Sequence, residues 1–214
     1  MRKRATILDY GSGNVLSVQR ALERCGAEVA LATQERELAA ADRLVLPGVG
    51  AFAACMRALE HRRLLDAIRA FAASGRPFLG ICVGMQILFE ESEEFGRHAG
   101  IGLVPGAVRI VPSTGMDGRP HRIPHIGWAP LALSQGRNGW EGTILADTRP
   151  GESGYFVHSY TAVPADPRHR LADVDYDGRL IAAAIARDNV AGTQFHPEKS
   201  GAVGLRIVSR FLQC

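Results

Sequence analysis

The chain has 214 residues, 46% of them hydrophobic, enough apolar side chain to fill the core of one compact unit spanning 1–214. Lys and Arg number 25 against 22 Asp and Glu, a formal net charge of +3, and the signs are interspersed except in the run Met1-Arg2-Lys3-Arg4. Such a pattern excludes the basic stripe of a nucleic-acid binder, and the brief apolar run ending at Asp9 excludes a signal segment or membrane span.

In chain order, short apolar runs of β type alternate with helical patterns, which predicts an α/β fold with a mostly parallel central sheet flanked by helices. Residues 5–8 read as a buried strand, Gly11-Ser12-Gly13 as a turn, and Val15, Val18, Leu22 and Cys25 as one face of a helix that Gly26 closes. Strands follow at 29–31 and 44–46. A long helical stretch occupies 52–73, broken near His61 and ended by Ser74-Gly75. Residues 77–81 form a further strand that stops at Cys82, and a helix is predicted over 85–89.

Beyond that point Gly, Pro and turn residues are more frequent, and strands at 107–111, 128–133, 155–161, 171–176, 180–187 and 190–195 suggest antiparallel hairpins added at one edge of the sheet. Asp177-Gly178 is a hairpin-turn signal, and a helix over 203–212 ends the chain. The four cysteines, Cys25, Cys55, Cys82 and Cys214, have no C-x-x-C spacing, so reduced thiols in a cytoplasmic protein are expected, with no metal site.

The segment Gly80-Ile81-Cys82-Val83-Gly84-Met85-Gln86 runs from strand through G-x-C-x-G into helix, the nucleophile-elbow layout with Cys in place of Ser. A sharp turn of this kind strains its central residue, and side chains in place of the glycines would collide with neighbouring elements. It also sets the sulfur at a helix N-terminus, where backbone N–H groups favour thiolate over thiol. A buried, unreactive cysteine would fit the elbow alone equally well.

A nucleophilic cysteine needs a base and a group that orients the base. Phe195-His196-Pro197-Glu198-Lys199 supplies both. If the segment is extended, alternation places His196 and Glu198 on one side, with Pro197 stiffening the link. Glu198 then accepts a proton from one ring nitrogen while the other faces Cys82.

A third element is the strand that feeds Pro47-Gly48-Val49-Gly50. Active sites gather beyond the carboxyl ends of parallel strands, which brings this loop to the rim that holds Cys82. Amides from Gly48, Val49 and Gly50, with that of Val83, can form an oxyanion hole. The Lys and Ser/Thr of a phosphate-binding P-loop are missing from it.

Taken in order, PGVGAF, GICVGMQ, YFVHSY and FHPEKS resemble the class I glutamine amidotransferases over essentially the whole chain. DYGSGN at residues 9–14 and PHIGW at 124–128 resemble, within that class, the glutaminase subunits of imidazole glycerol phosphate synthase. The resemblance implies a triad of Cys82, His196 and Glu198 that hydrolyses glutamine without metal or organic cofactor. It implies Gln86, Glu94, His158, Ser159 and Tyr160 as glutamine-pocket residues, although Glu94 closes an acidic run that also suits a solvated helix end.

The same resemblance implies a partner, a separate (β/α)8-barrel cyclase that receives ammonia for the histidine pathway, with Asn14, Trp128 and Lys199 near the interface. One departure is Ala129, where the family usually has Asn after GW, so interface hydrogen bonding is expected to differ. A glutaminase of another pathway would lose PHIGW and YFVHSY. A reactive-cysteine hydrolase need not keep His-Pro-Glu, and a non-catalytic binding subunit would lose a member of the triad.

Overall fold

The computed structural model describes residues 3–214, so Met1 and Arg2 of the basic run lie outside the described residues. The first part alternates strands β1 (Arg4–Leu8), β2 (Glu28–Ala32), β3 (Leu44–Gly48) and β4 (Phe78–Cys82) with helices α1 (Val15–Arg24), α2 (Glu35–Ala39), α3 (Phe52–His61), α4 (Leu65–Ala73) and the one-turn α5 (Val83–Gln86). Strands then dominate: β5 (Phe89–Ser92), β6 (His98–Ala99), β7 (Val104–Ile110), β8 (His125–Leu133) and β9 (Ser153–His158). Next come β10 (Tyr160–Pro164), β11 (Arg170–Tyr176), β12 (Arg179–Arg187) and β13 (Val190–Thr193), and α6 (Gly201–Phe211) closes the order.

Nine strands form one sheet in the order β2-β1-β3-β4-β13-β12-β11-β8-β9. Neighbours from β2 to β13 run parallel, and those from β13 to β9 antiparallel. Every residue of β3, β4 and β13 is buried, as a sheet covered on both faces requires. Of the covering helices, α1 packs against α6 and α2 against α4. Helix α1 turns Val18, Ala21 and Leu22 inward; Val18 and Leu22 belong to the face read from its sequence, while Val15 and Cys25 of that face are half-buried. The break between α3 and α4 centres on Arg63, whose φ of +56° no helix can continue. Asp177 and Gly178 both have positive φ, +53° and +80°, the backbone of a tight hairpin turn between β11 and β12.

Three features depart from the expected order. Helix α2 was not legible, because five residues with Leu38 alone buried carry no periodicity; Glu37 and Gln34 hold it by a capping box. The helix expected over 85–89 ends at Gln86, and Phe89–Ser92 is strand β5. The carbonyls that follow the helix are satisfied across the chain: Ile101 N–H donates to Ile87 O and Leu103 N–H to Leu88 O, both at 2.8 Å. Strand β5 belongs to a second sheet, β10-β7-β5-β6, which also takes residues 107–110, so these do not extend the main sheet. The strand expected over 155–161 is accordingly two, with β9 in the main sheet and β10 in the small one, and Ser159 at the crossing accepts from Val111 N–H at 2.9 Å.

Candidate active site

Strand β4 ends at Cys82, whose backbone turns to φ +56°, ψ −116° before α5 begins. A non-glycine residue held there is strained, and strain of this kind persists only where neighbours enforce it. They do so by proximity. A Cβ on Gly84 would lie 1.9 Å from the Leu46 carbonyl oxygen, and one on Gly80 would lie 2.7 Å from Gly84 O. Both glycines of the G-x-C-x-G turn are thus required by the packing of α5 onto β3 and β4. Gly48 pairs with Cys82 in register, and a Cβ there would meet Gly84 N at 2.5 Å.

His196 follows β13, the parallel neighbour of β4, so it arrives at the same rim. Its backbone is fixed on both sides: His196 N–H donates to Tyr155 O at 2.9 Å, and Ser200 Oγ donates to His196 O at 2.6 Å. Its ring Nδ1 donates to Glu198 Oε1 at 2.8 Å, and both side chains are almost wholly buried. The route differs from the extended segment expected, because Pro197–Lys199 is a 3₁₀ turn. Pro197 stands at its first position, where its missing N–H costs nothing, and the tight turn swings the Glu198 carboxylate back onto the ring.

A cavity of about 340 Å³ opens above these groups. Its lining draws on five segments: Val49 and Gly50; Cys82, Val83 and Gln86; Glu94; His158, Ser159 and Tyr160; His196 and Lys199. Pro124 and Val157, which sequence reading did not single out, complete it. Gly48 and Glu198 lie behind this surface, one in register with Cys82 and the other buried against His196. Glu94 is not the end of a solvated helix: it follows β5, is half-buried, and accepts from Phe52 N–H at 2.5 Å. It thereby caps α3, whose own N-cap Ala51 offers no side-chain acceptor.

Burial works against a charge on His196, but the Cys82 sulfur and the Glu198 carboxylate outweigh it and carry the ring up to about 9. His158 is pushed the other way, down to about 4, chiefly by burial and despite its bond to the Tyr160 carbonyl. One histidine of this cavity is therefore a ready proton donor at neutral pH and the other a neutral ring. Tyr10 Oη donates to Pro47 O at 2.9 Å under the Gly48 loop, and burial first, then Cys55, lift its phenol far above the usual range.

Of the interface candidates, Lys199 lines the cavity, whereas Asn14 and Trp128 lie outside its lining. Asn14 caps α1, its Oδ1 accepting from Ser17 N–H at 3.4 Å. Trp128 is 58% exposed and meets Tyr155 edge to face. Alternation along β8 turns Ala129 the opposite way, into the core at 6% exposure. The residue after Trp128 thus points away from the exposed face, and alanine suits that place. Ser200, Gln194 and His125 also support the cluster; His125 and Ser200 lie within PHIGW and FHPEKS and Gln194 directly precedes the latter, but the motifs alone assign them no role. Among the described residues no group of three or more His, Cys, Asp or Glu is arranged to hold a metal ion, all four cysteines are free, and no helix is long and apolar enough to cross a membrane.

The family model for Glutamine amidotransferase class-I matches residues 6–213. The chain is 52% identical to the Imidazole glycerol phosphate synthase subunit HisH 1 of Legionella pneumophila (strain Lens), covering 97% of this chain and 98% of that protein. It is 46% identical to the subunit HisH of Syntrophotalea carbinolica, covering 96% and 97%. Among solved structures, PurLQS from Thermotoga maritima superposes with a TM-score of 0.70 at 21% identity, covering 100% of this chain and 98% of that one, a likeness of fold. The chain belongs to the class-I glutamine amidotransferases, in the branch of the HisH subunits of imidazole glycerol phosphate synthase.

Proposed function

We propose that this chain is the glutaminase subunit of an imidazole glycerol phosphate synthase, with Cys82 as nucleophile, His196 as acid and base, and Glu198 as its orienting carboxylate. The observation that carries this reading is the strained Cys82 elbow sharing one cavity with the buried His196–Glu198 pair. The Cys82 thiolate attacks the side-chain carbonyl carbon of glutamine. Imidazolium His196 protonates the nitrogen, ammonia leaves, and a glutamyl thioester remains. Water then adds to the thioester, giving up one proton to His196, and glutamate departs as the thiolate is restored.

Glutamine binds through the cavity residues Gln86, Glu94, His158, Ser159 and Tyr160. Oxyanion donors come from the Gly48-Val49-Gly50 loop and from Val83 N–H. Ammonia passes to a separate (β/α)8-barrel cyclase, which uses it on a phosphorylated nucleotide precursor to form imidazole glycerol phosphate and an aminoimidazole carboxamide ribotide in cytoplasmic histidine biosynthesis. The face that receives the cyclase surrounds the cavity mouth. There Ile126 and Trp128 on β8 stand exposed beside their cross-strand partners Val157 and Tyr155, and Val49 is exposed at the rim with Lys199.

Isolated, the chain is a poor glutaminase on this reading, because its oxyanion loop is completed only in the complex. The Val49 carbonyl is held by Ser12 Oγ at 2.9 Å, an exposed bond, and Gly50 at φ +85° has open space beside it. Cys55 Sγ also donates to this carbonyl at 3.5 Å, so the Val49–Gly50 peptide turns at the loss of these two bonds, one of them a weak thiol bond, on the order of 1–2 kcal/mol. Adding the cyclase with its nucleotide ligand is expected to raise glutamate release by at least about tenfold, and Trp128→Ala to weaken that response at limiting cyclase. Fast release by the chain alone, unchanged by the cyclase, refutes the partner-dependent reading.

A further inference from the structure

Resting on the assignment of Cys82 as nucleophile, we propose that Gln194 is a positioning residue that donates a hydrogen bond to the Cys82 sulfur, with its amide direction enforced by one buried hydrogen-bond chain. Gln194 follows β13 and is fully buried, and its Nε2 lies 3.8 Å from Cys82 Sγ, within reach of the large sulfur atom. Behind it, Gln86 Nε2 lies 2.9 Å from Gln194 Oε1 and 3.1 Å from the Tyr160 carbonyl oxygen. His158 Nδ1 lies 2.8 Å from that same oxygen, and His158 Nε2 lies 3.2 Å from His125 Nδ1.

A carbonyl oxygen only accepts, and that fact sets every donor in the chain. Tyr160 O takes protons from His158 Nδ1 and from Gln86, so Gln86 presents its NH₂ end there. Its second N–H then reaches Gln194, which must answer with its carbonyl oxygen. The NH₂ end of Gln194 is left facing the sulfur. His158, neutral because burial holds it down to about 4, carries its proton on Nδ1 and accepts at Nε2 from His125. Flipping either amide would set two acceptors or two donors against each other in a site closed to water, a high cost.

An amide N–H aimed at sulfur favours the thiolate and fixes its direction, whereas it does little for a neutral thiol. It also acts from behind, since Gln194 is not part of the cavity lining. The other titratable groups that face Cys82 are His196, with Glu198 beyond it, and Tyr10. Changing Gln194 leaves the side chains of His196 and Tyr10 in place.

The test follows alkylation of Cys82 by iodoacetamide against pH, read by peptide mass so that Cys25, Cys55 and Cys214 are counted separately. Gln194→Met keeps the length and removes the donor. It is expected to move the alkylation midpoint up by about one pH unit and to lower kcat about tenfold with little change in KM. Gln194→Asn keeps a neutral buried amide but withdraws its N–H from the sulfur by one methylene, without adding a charge. The same upward move of the midpoint is expected, and this variant decides the question alone if Gln194→Met does not fold. A midpoint unchanged or lowered in either folded variant overturns the role of Gln194. Glutamate release that survives full alkylation of wild-type Cys82 overturns the nucleophile assignment instead, and the two failures are distinct.

Discussion

Cys82→Ser is expected to reduce glutamine-dependent product formation with the cyclase by roughly four orders of magnitude or more, while synthesis from free ammonium continues at its ordinary rate. The hydroxyl of serine is nearly isosteric but remains protonated where the thiol ionises, so the elbow, the cavity and the docking face persist without the nucleophile. The variant also removes a negative charge that raises His196, so the His196 ring is expected to titrate below the value of about 9 that it holds in the wild type. Coupled synthesis assays with glutamine and with ammonium measure the first effect, and histidine NMR measures the second. Loss of both activities would assign Cys82 a structural part instead.

Gly84→Ala is expected to cost about 3 kcal/mol or more of stability, because its Cβ would stand 1.9 Å from the Leu46 carbonyl oxygen, with Leu46 C and Pro47 C within 3.0 Å. The obstacles are backbone atoms of a buried central strand, which cannot step aside as a flexible side chain would. A fall in Tm on the order of 10 °C follows for a domain of this size. Gly26→Ala is the comparison: φ is +86° there, but nothing lies within 4 Å of the added carbon, so only the left-handed backbone penalty applies, about 1 kcal/mol. Thermal unfolding of both variants separates them. Equal losses would mean that the elbow yields and that its glycines are not set by the packing of α5 on β3.

Much of this organisation was legible in the sequence because the central strands carry their own signal. Leu44-Val45-Leu46 and Phe78-Leu79-Gly80-Ile81 are continuous apolar runs, as sheet strands covered on both faces must be. The elbow glycines were legible because their spacing has a mechanical reason; the His196–Glu198 pairing was legible too, but through a 3₁₀ turn and not the extended segment its alternation suggests. Where competing backbone partners decide, the sequence is silent. Gln86 to Phe89 has the look of a continuing helix, yet residues 101–103 capture its carbonyls from a distance no local window covers. The crossing at Ser159 is equally hidden, since YFVHSYT alternates well enough for one strand and only Val111 divides it between sheets. The role of Glu94 was ambiguous for a related reason: its partner, the N-terminus of α3, lies 42 residues earlier. Gln194 and His125 carry no role that sequence alone assigns, because their meaning lies wholly in what they touch.

The most direct measurement is the intact mass of the wild-type chain, acid-quenched during turnover of glutamine with the cyclase and its nucleotide ligand present. The account requires a transient adduct of one glutamyl group, mapped to Cys82 and lost in Cys82→Ser. Steady glutamate release with the adduct on another residue, or with release undiminished in Cys82→Ser, would contradict it.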